Sequence, residues 1–273
     1  MENPAISGVD IRRYSGGQLS PSQDRLAVEE PLEIRLVYGP LEARVLQNIS
    51  VTMRTPGADR ELALGFLFTE GILKDIASVL SCTVSGNVMT VEIRPGVVPH
   101  LSSVARNFYA TSSCGVCGKA SIDAISVVSP YRSFVSSLCV PASVLYGLPT
   151  SLTAAQDVFA LTGGLHASAL FDPEGHLWCM REDVGRHNAL DKVIGFAFSA
   201  GMLPLDNSLL LLSGRAGFEL IQKAAMAGIK VVAAIGPPSS LALQLARENG
   251  MTLVGFLRGE KFNVYCGEER INL

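Results

Sequence analysis

Three short runs in the C-terminal third, Leu209–Leu212, Val231–Ile235 and Thr252–Leu257, are almost wholly apolar, and this constrains the fold more than any other feature. A strand with one face in water alternates apolar and polar residues. A strand that is apolar throughout must be covered on both faces, which is the condition of a parallel sheet held between helices. The stretches between the three runs each accommodate a helix of about ten residues, as a parallel crossover requires.

Upstream, the pattern predicts a helix over 152–162 stopping at Gly163-Gly164, then strands over 166–171 and 176–181 around the turn Asp172-Pro173-Glu174-Gly175. A helix over 188–200 follows, with Leu190, Val193, Ile194 and Ala197 on one stripe and Gly201 as its stop. The order αββαβαβαβ, an opening hairpin followed by βαβ crossovers, describes a mixed-sheet three-layer sandwich and is associated with the cytidine-deaminase-like fold. This α/β domain is expected to occupy 141–273.

Residues 29–110 read as a smaller α+β domain. Leu32, Ile34 and Leu36 alternate with polar residues, and Tyr38-Gly39-Pro40 turns the chain into a second strand through Val45 and Val51. Asp59 is a candidate cap for a helix carrying Leu62, Gly65 and Phe66, and strands near 82–84 and 88–93 flank Ser85-Gly86-Asn87. Residues 1–28 show neither period and are expected to form a flexible leader, and 111–140 a mobile loop and connecting segment. The length of 273 residues allows one large or two modest domains, each with its own core.

The formal net charge of −3 gives little reason to bind nucleic acid over a broad surface. The first 25 residues hold no signal-peptide core, and no segment reaches the roughly 18 apolar residues of a membrane span. A cytoplasmic location is expected. There the six cysteines are thiols, of which Cys82, Cys139, Cys179 and Cys266 stand alone and read as small apolar side chains.

The remaining two form Cys114-Gly-Val-Cys117, within a small, hydroxylated stretch. Such a pair can be half of a zinc site, a redox dithiol or a sulfur-carrying thiol with a helper. A structural zinc needs four ligands, and neither a second CxxC nor an HxxxH is present, so no permanently bound metal is expected. A thioredoxin-like dithiol would follow the first strand of a βαβ unit, which this one does not. What remains is a nucleophile: a helix start near Lys119 would lower the thiol pKa, Cys114 would hold sulfur as a persulfide, and Cys117 would assist its release.

Further clusters suit binding. His166-Ala167-Ser168 has the first residue of the His-x-Glu that zinc deaminases carry, but Ser168 replaces the glutamate and no Cys pair follows, which removes deamination. His166 reads equally well as a satisfied buried histidine. The polar run 182–192 at a strand end suits a crevice where Arg186 and His187 meet phosphate, with helix capping by Asp183 or Asn188 as the plainer reading. Ser213, Gly214 and Arg215 open a helix after an apolar strand and can cradle a phosphate, although such a turn also serves packing alone. Phe256, Leu257, Arg258, Gly259, Glu260 and Lys261 close the last strand, where two cations beside aromatics suit a nucleobase near phosphates; a polar turn into an edge strand explains them as well.

Taken together, Met53-Arg-Thr-Pro-Gly57, Glu61-Leu-Ala-Leu-Gly-Phe-Leu67, Glu70-Gly-Ile72, Ser113-Cys-Gly-Val-Cys-Gly118, Thr162-Gly-Gly-Leu-His-Ala167, Glu182-Asp-Val-Gly-Arg-His-Asn-Ala189, Ser213-Gly-Arg215, Gln222-Lys-Ala-Ala-Met-Ala-Gly228 and Phe262-Asn-Val-Tyr265 resemble the formate dehydrogenase accessory sulfurtransferase family, often called FdhD. The resemblance implies a cytidine-deaminase-like core and a sulfurtransferase that takes sulfur from a cysteine desulfurase. It implies delivery to the molybdenum bis(molybdopterin guanine dinucleotide) cofactor before insertion into formate dehydrogenase apoenzyme. It places the active thiol on Cys114, the helper on Cys117 and a cofactor-binding stretch on 256–261, and it implies a homodimer. The alternative is a non-catalytic chaperone that binds cofactor and apoenzyme.

Overall fold

The structure, a computed structural model, describes residues 3–101, 129–132 and 136–272. Its centre is a six-stranded sheet in the order β13-β12-β11-β10-β8-β9. The all-apolar runs become β10 (Leu209–Leu212), β11 (Val231–Ala234) and β12 (Thr252–Arg258), which pair in parallel; β8 (His166–Phe171), β9 (Leu177–Asp183) and β13 (Lys261–Cys266) extend the sheet antiparallel. One face holds Ala167, Ala169, Phe171, Leu209, Leu211 and Val231 against Leu145, Leu148 and Leu152 of α2 (Ala142–Ala155). The other is covered by α4 (Arg186–Ser199), α5 (Phe218–Met226) and α6 (Ser240–Glu248).

A second sheet, ordered β4-β3-β6-β5, comprises β3 (Glu30–Tyr38), β4 (Val45–Arg54), β5 (Val79–Ser85) and β6 (Val88–Ile93). The alternating residues Leu32, Ile34 and Leu36 are fully buried, and α1 (Asp59–Thr69) packs on that face. One apolar cluster joins the two regions, running from Leu32 and Val91 through α1 and α4 to Leu210 and Val232. Helices α1 and α4 cross where Gly65 faces Gly195, so close that a Cβ on Gly65 would lie 1.8 Å from the Asp191 carbonyl oxygen. Only a residue without a side chain permits that approach.

Other expectations are corrected. The leader forms an antiparallel hairpin, β1 (Ile6–Ser15) with β2 (Gln18–Ala27), turning at Gly16 and Gly17, both at positive φ. The helix expected over 152–162 starts ten residues earlier, as α2, and breaks at Gln156 before α3 (Asp157–Thr162). Asp59 is not a cap: Ala58 occupies that position in the left-handed region, and the Asp59 carboxylate accepts from the buried Arg54 guanidinium at 2.9 and 3.0 Å. The connecting segment is anchored where it is described: Ser129 Oγ donates to the Ala225 carbonyl at 2.6 Å, and β7 (Val140–Pro141) pairs with β14 (Ile271–Asn272). No helix of the described residues is long and apolar enough to cross a membrane.

Candidate functional site

The carboxyl ends of the parallel strands meet the start of β8 and the end of β9 along one edge of the six-stranded sheet, since His166 pairs with Asp183 and Leu212 with Ser168. Loops at such an edge are where α/β sheets bind ligands, because helix starts present free amides there. Here the loops are locked together. Ser213 Oγ accepts from Ala167 N at 2.8 Å and Ser213 N donates to Ala167 O at 3.0 Å. Gly236 N donates to Gly214 O at 2.9 Å, and Phe256 N to Gly236 O at 3.3 Å. The Ser213 loop, the 236–239 loop and the last strand end are thus joined by hydrogen bonds into one wall.

The polar run 182–192 splits in two. Glu182 accepts from the Val158 and Phe159 amides and holds α3. Asp183, fully buried, accepts from Thr55 N, Gly185 N, Asn188 Nδ2 and Lys192 Nζ, the last at 2.6 Å. Asn188 donates to Met53 O at 2.8 Å, and Lys192 to Thr55 O at 2.9 Å. Asp191 joins Thr69 and Lys223 inside the helix layer. Asp183, Asn188 and Lys192 thus bolt α4 to the Met53–Thr55 segment.

Arg186 and His187, at the start of α4, are partly exposed. They lie close enough to His166 that, after desolvation, their charge holds the His166 pKa below the usual histidine range. No side chain among the described residues caps α4 or α5, whose N-caps are Gly185 and Gly217. The Arg186 Nε and the Oγ of the buried Ser168 have no hydrogen-bond partner among the described residues. Cationic groups and two open helix starts therefore surround a place suited to an anion.

The histidine that starts a helix here is His187, not His166. His166 instead opens β8.

The 256–261 stretch is divided as well. Leu257 is fully buried in the core on the α2 side and cannot touch a ligand, and Phe262 packs against Tyr146 on that side, with ring centroids 5.8 Å apart. Phe256 sits at φ 56° in a bulge and is 41% exposed, leaving one aromatic surface free to stack. Arg258 and Lys261 face each other across an exposed turn through Gly259 and Glu260. Arg215 is exposed. Sequence reading missed Gly236, where a Cβ would meet Gly214 O at 3.0 Å, and Glu219, whose Oε2 accepts from His187 Nε2 at 2.8 Å. The Gly236-Pro237-Pro238 turn after an apolar strand was the available signal for the first.

Cys114 and Cys117 lie outside the described residues. The chain on either side of them is fixed at the far end of the helix layer: His100 N donates to Ile72 O beyond α1, and Ser129 holds the C-terminal turn of α5. Of the lone cysteines, Cys179 is buried, but Cys139 is exposed with Sγ 3.1 Å from Asn272 Oδ1, contrary to its reading as an apolar side chain.

An α/β protein built on mixed sheets is the class that this fold defines. The FdhD/NarQ family model matches residues 27–272, and the chain belongs to that family. The chain is 51% identical to the sulfur carrier protein FdhD of Streptomyces avermitilis, with 96% of this chain and 94% of that one covered. It is 49% identical to the protein of the same name in Mycobacterium tuberculosis, with 96% of each covered. The counterpart in Saccharolobus solfataricus is 40% identical, covering 97% and 98%. A crystal structure from Desulfotalea psychrophila, described as that of a formate dehydrogenase accessory protein, matches with a TM-score of 0.75 at 25% identity, over 98% of this chain and all of that one.

Proposed function

We propose that this protein is a sulfur carrier in formate dehydrogenase maturation. The Cys114 thiolate attacks the sulfane sulfur of a persulfide on a cysteine desulfurase, the desulfurase thiolate leaves, and Cys114 keeps the sulfur as its own persulfide. The acceptor is the molybdenum of a bis(molybdopterin guanine dinucleotide) cofactor, bound as substrate on its way to the apoenzyme. Attack of the Cys117 thiolate on Cys114 Sγ forms a disulfide and frees the terminal sulfur with its electron pair, as sulfide, for the metal. A dithiol reductant then restores both thiols.

One observation carries this reading: relatives named as sulfur carriers match essentially the whole chain at 40–51% identity. The crevice supports the cargo, with Arg186, His187, Ser213, Gly214 and Arg215 toward the phosphates and Phe256 toward a guanine ring. Arg258 and Lys261 stand on the exposed turn beside it. We read the sheet order β9-β8-β10-β11-β12, with β8 antiparallel to its neighbours, as cytidine-deaminase-like. A cytoplasmic location suits the free thiols, and a homodimer suits the exposed Val45, Leu46, Val51 and Met53 along edge strand β4.

The test is intact mass after incubation with a cysteine desulfurase and cysteine, followed by peptide mapping. One added sulfur on the Cys114 peptide, absent from Cys114→Ala, is expected. Normal persulfidation of Cys114→Ala, together with undiminished formate dehydrogenase activation, would overturn the assignment.

A further inference from the structure

We propose that Glu219 sets how tightly the crevice holds the phosphates of its cargo, by occupying His187 in place of a phosphate oxygen. This rests on reading the crevice as a nucleotide site. Glu219 is the second residue of α5, so its carboxylate stands at the helix start that the Ser213–Gly217 loop opens. His187 Nε2 donates to it at 2.8 Å, and the two side chains are only 13% and 15% exposed, which limits screening by solvent. His187 is the second residue of α4, and Gly214 lies against His166, where an added Cβ would lie 3.4 Å from Nδ1.

Of the described residues whose charge acts on His166, Arg186 and His187 bear on it as cations and the buried Asp183 as an anion, its oxygens committed to Thr55, Gly185, Asn188 and Lys192. An incoming phosphate would therefore meet one carboxylate that already uses the donor it needs. The same nitrogen cannot donate fully to both, and two anions side by side repel. A carrier has to release what it binds. An internal anion that competes for His187 lowers affinity without removing the site, and it returns to His187 as the cargo leaves.

Titration calorimetry of the full chain with GDP, inorganic pyrophosphate and guanosine tests this. In Glu219→Gln, which keeps the shape and removes the charge, GDP and pyrophosphate are expected to bind about tenfold more tightly, with guanosine unchanged. Glu219→Ala must move in the same direction, and in a His187→Gln background the gain must shrink. Unchanged or weaker GDP binding in both Glu219 variants would overturn the proposal while leaving the crevice reading intact. A wild-type protein that binds neither GDP nor pyrophosphate would overturn the crevice reading, and this proposal with it.

Discussion

Within the run from Glu182 to Lys192, neighbouring residues do opposite work: Asp183 is fully buried in four hydrogen bonds, and His187, four positions on, meets Glu219 at the crevice. Residue type was readable here, but partners were not, because Thr55 and Glu219 are distant in sequence. Cysteine shows the same limit. Burial pushes the Cys179 thiol up to about 11 from 9.0. Its folded pKa lies above the unfolded one, so its contribution to stability is complete below pH 9 and fades as pH rises toward 11. At about pH 8 the thiolate fraction of such a group is about 0.001. Iodoacetamide on the native protein is expected to modify Cys139 rapidly and Cys179 only after denaturation, as peptide mapping would show.

At the scale of elements, the crossing of α1 and α4 is decided by two glycines whose sequence context is merely helical. A Cβ on Gly195 would lie 1.8 Å from the Glu61 carbonyl oxygen, as on Gly65 from Asp191. Neither backbone can yield without separating the helices that join the two sheets. Gly65→Ala or Gly195→Ala is therefore expected to destabilise the fold by about 3 kcal/mol or more, measurable by urea unfolding, although alanine favours an isolated helix. The strands of the sheets were legible from period alone, since Leu32, Ile34 and Leu36 alternate and Leu209–Leu212 do not. Helix ends were less legible. α2 carries Pro149 within it, normally a breaker, and ends at Gln156, which bears no stop signal.

Over the whole molecule, one apolar cluster joins both sheets, while the β1–β2 hairpin stands largely outside it. The family model begins at residue 27, and of β1 and β2 no residue is fully buried. A chain starting at Leu26 is expected to unfold in one transition, with stability within about 2 kcal/mol of the full chain. The sequence by itself determined the buried parallel strands, the element order of the α/β half, the Cys114–Cys117 pair and the run of motifs that marks the family, because these depend on local period and residue identity. Only the tertiary structure decided which polar side chains are bolts and which face the crevice, that Leu257 is core while Phe256 is free, and that Glu219 meets His187. Those outcomes depend on which distant segments share a sheet edge, and that is fixed by the burial of both sheets against one helix layer.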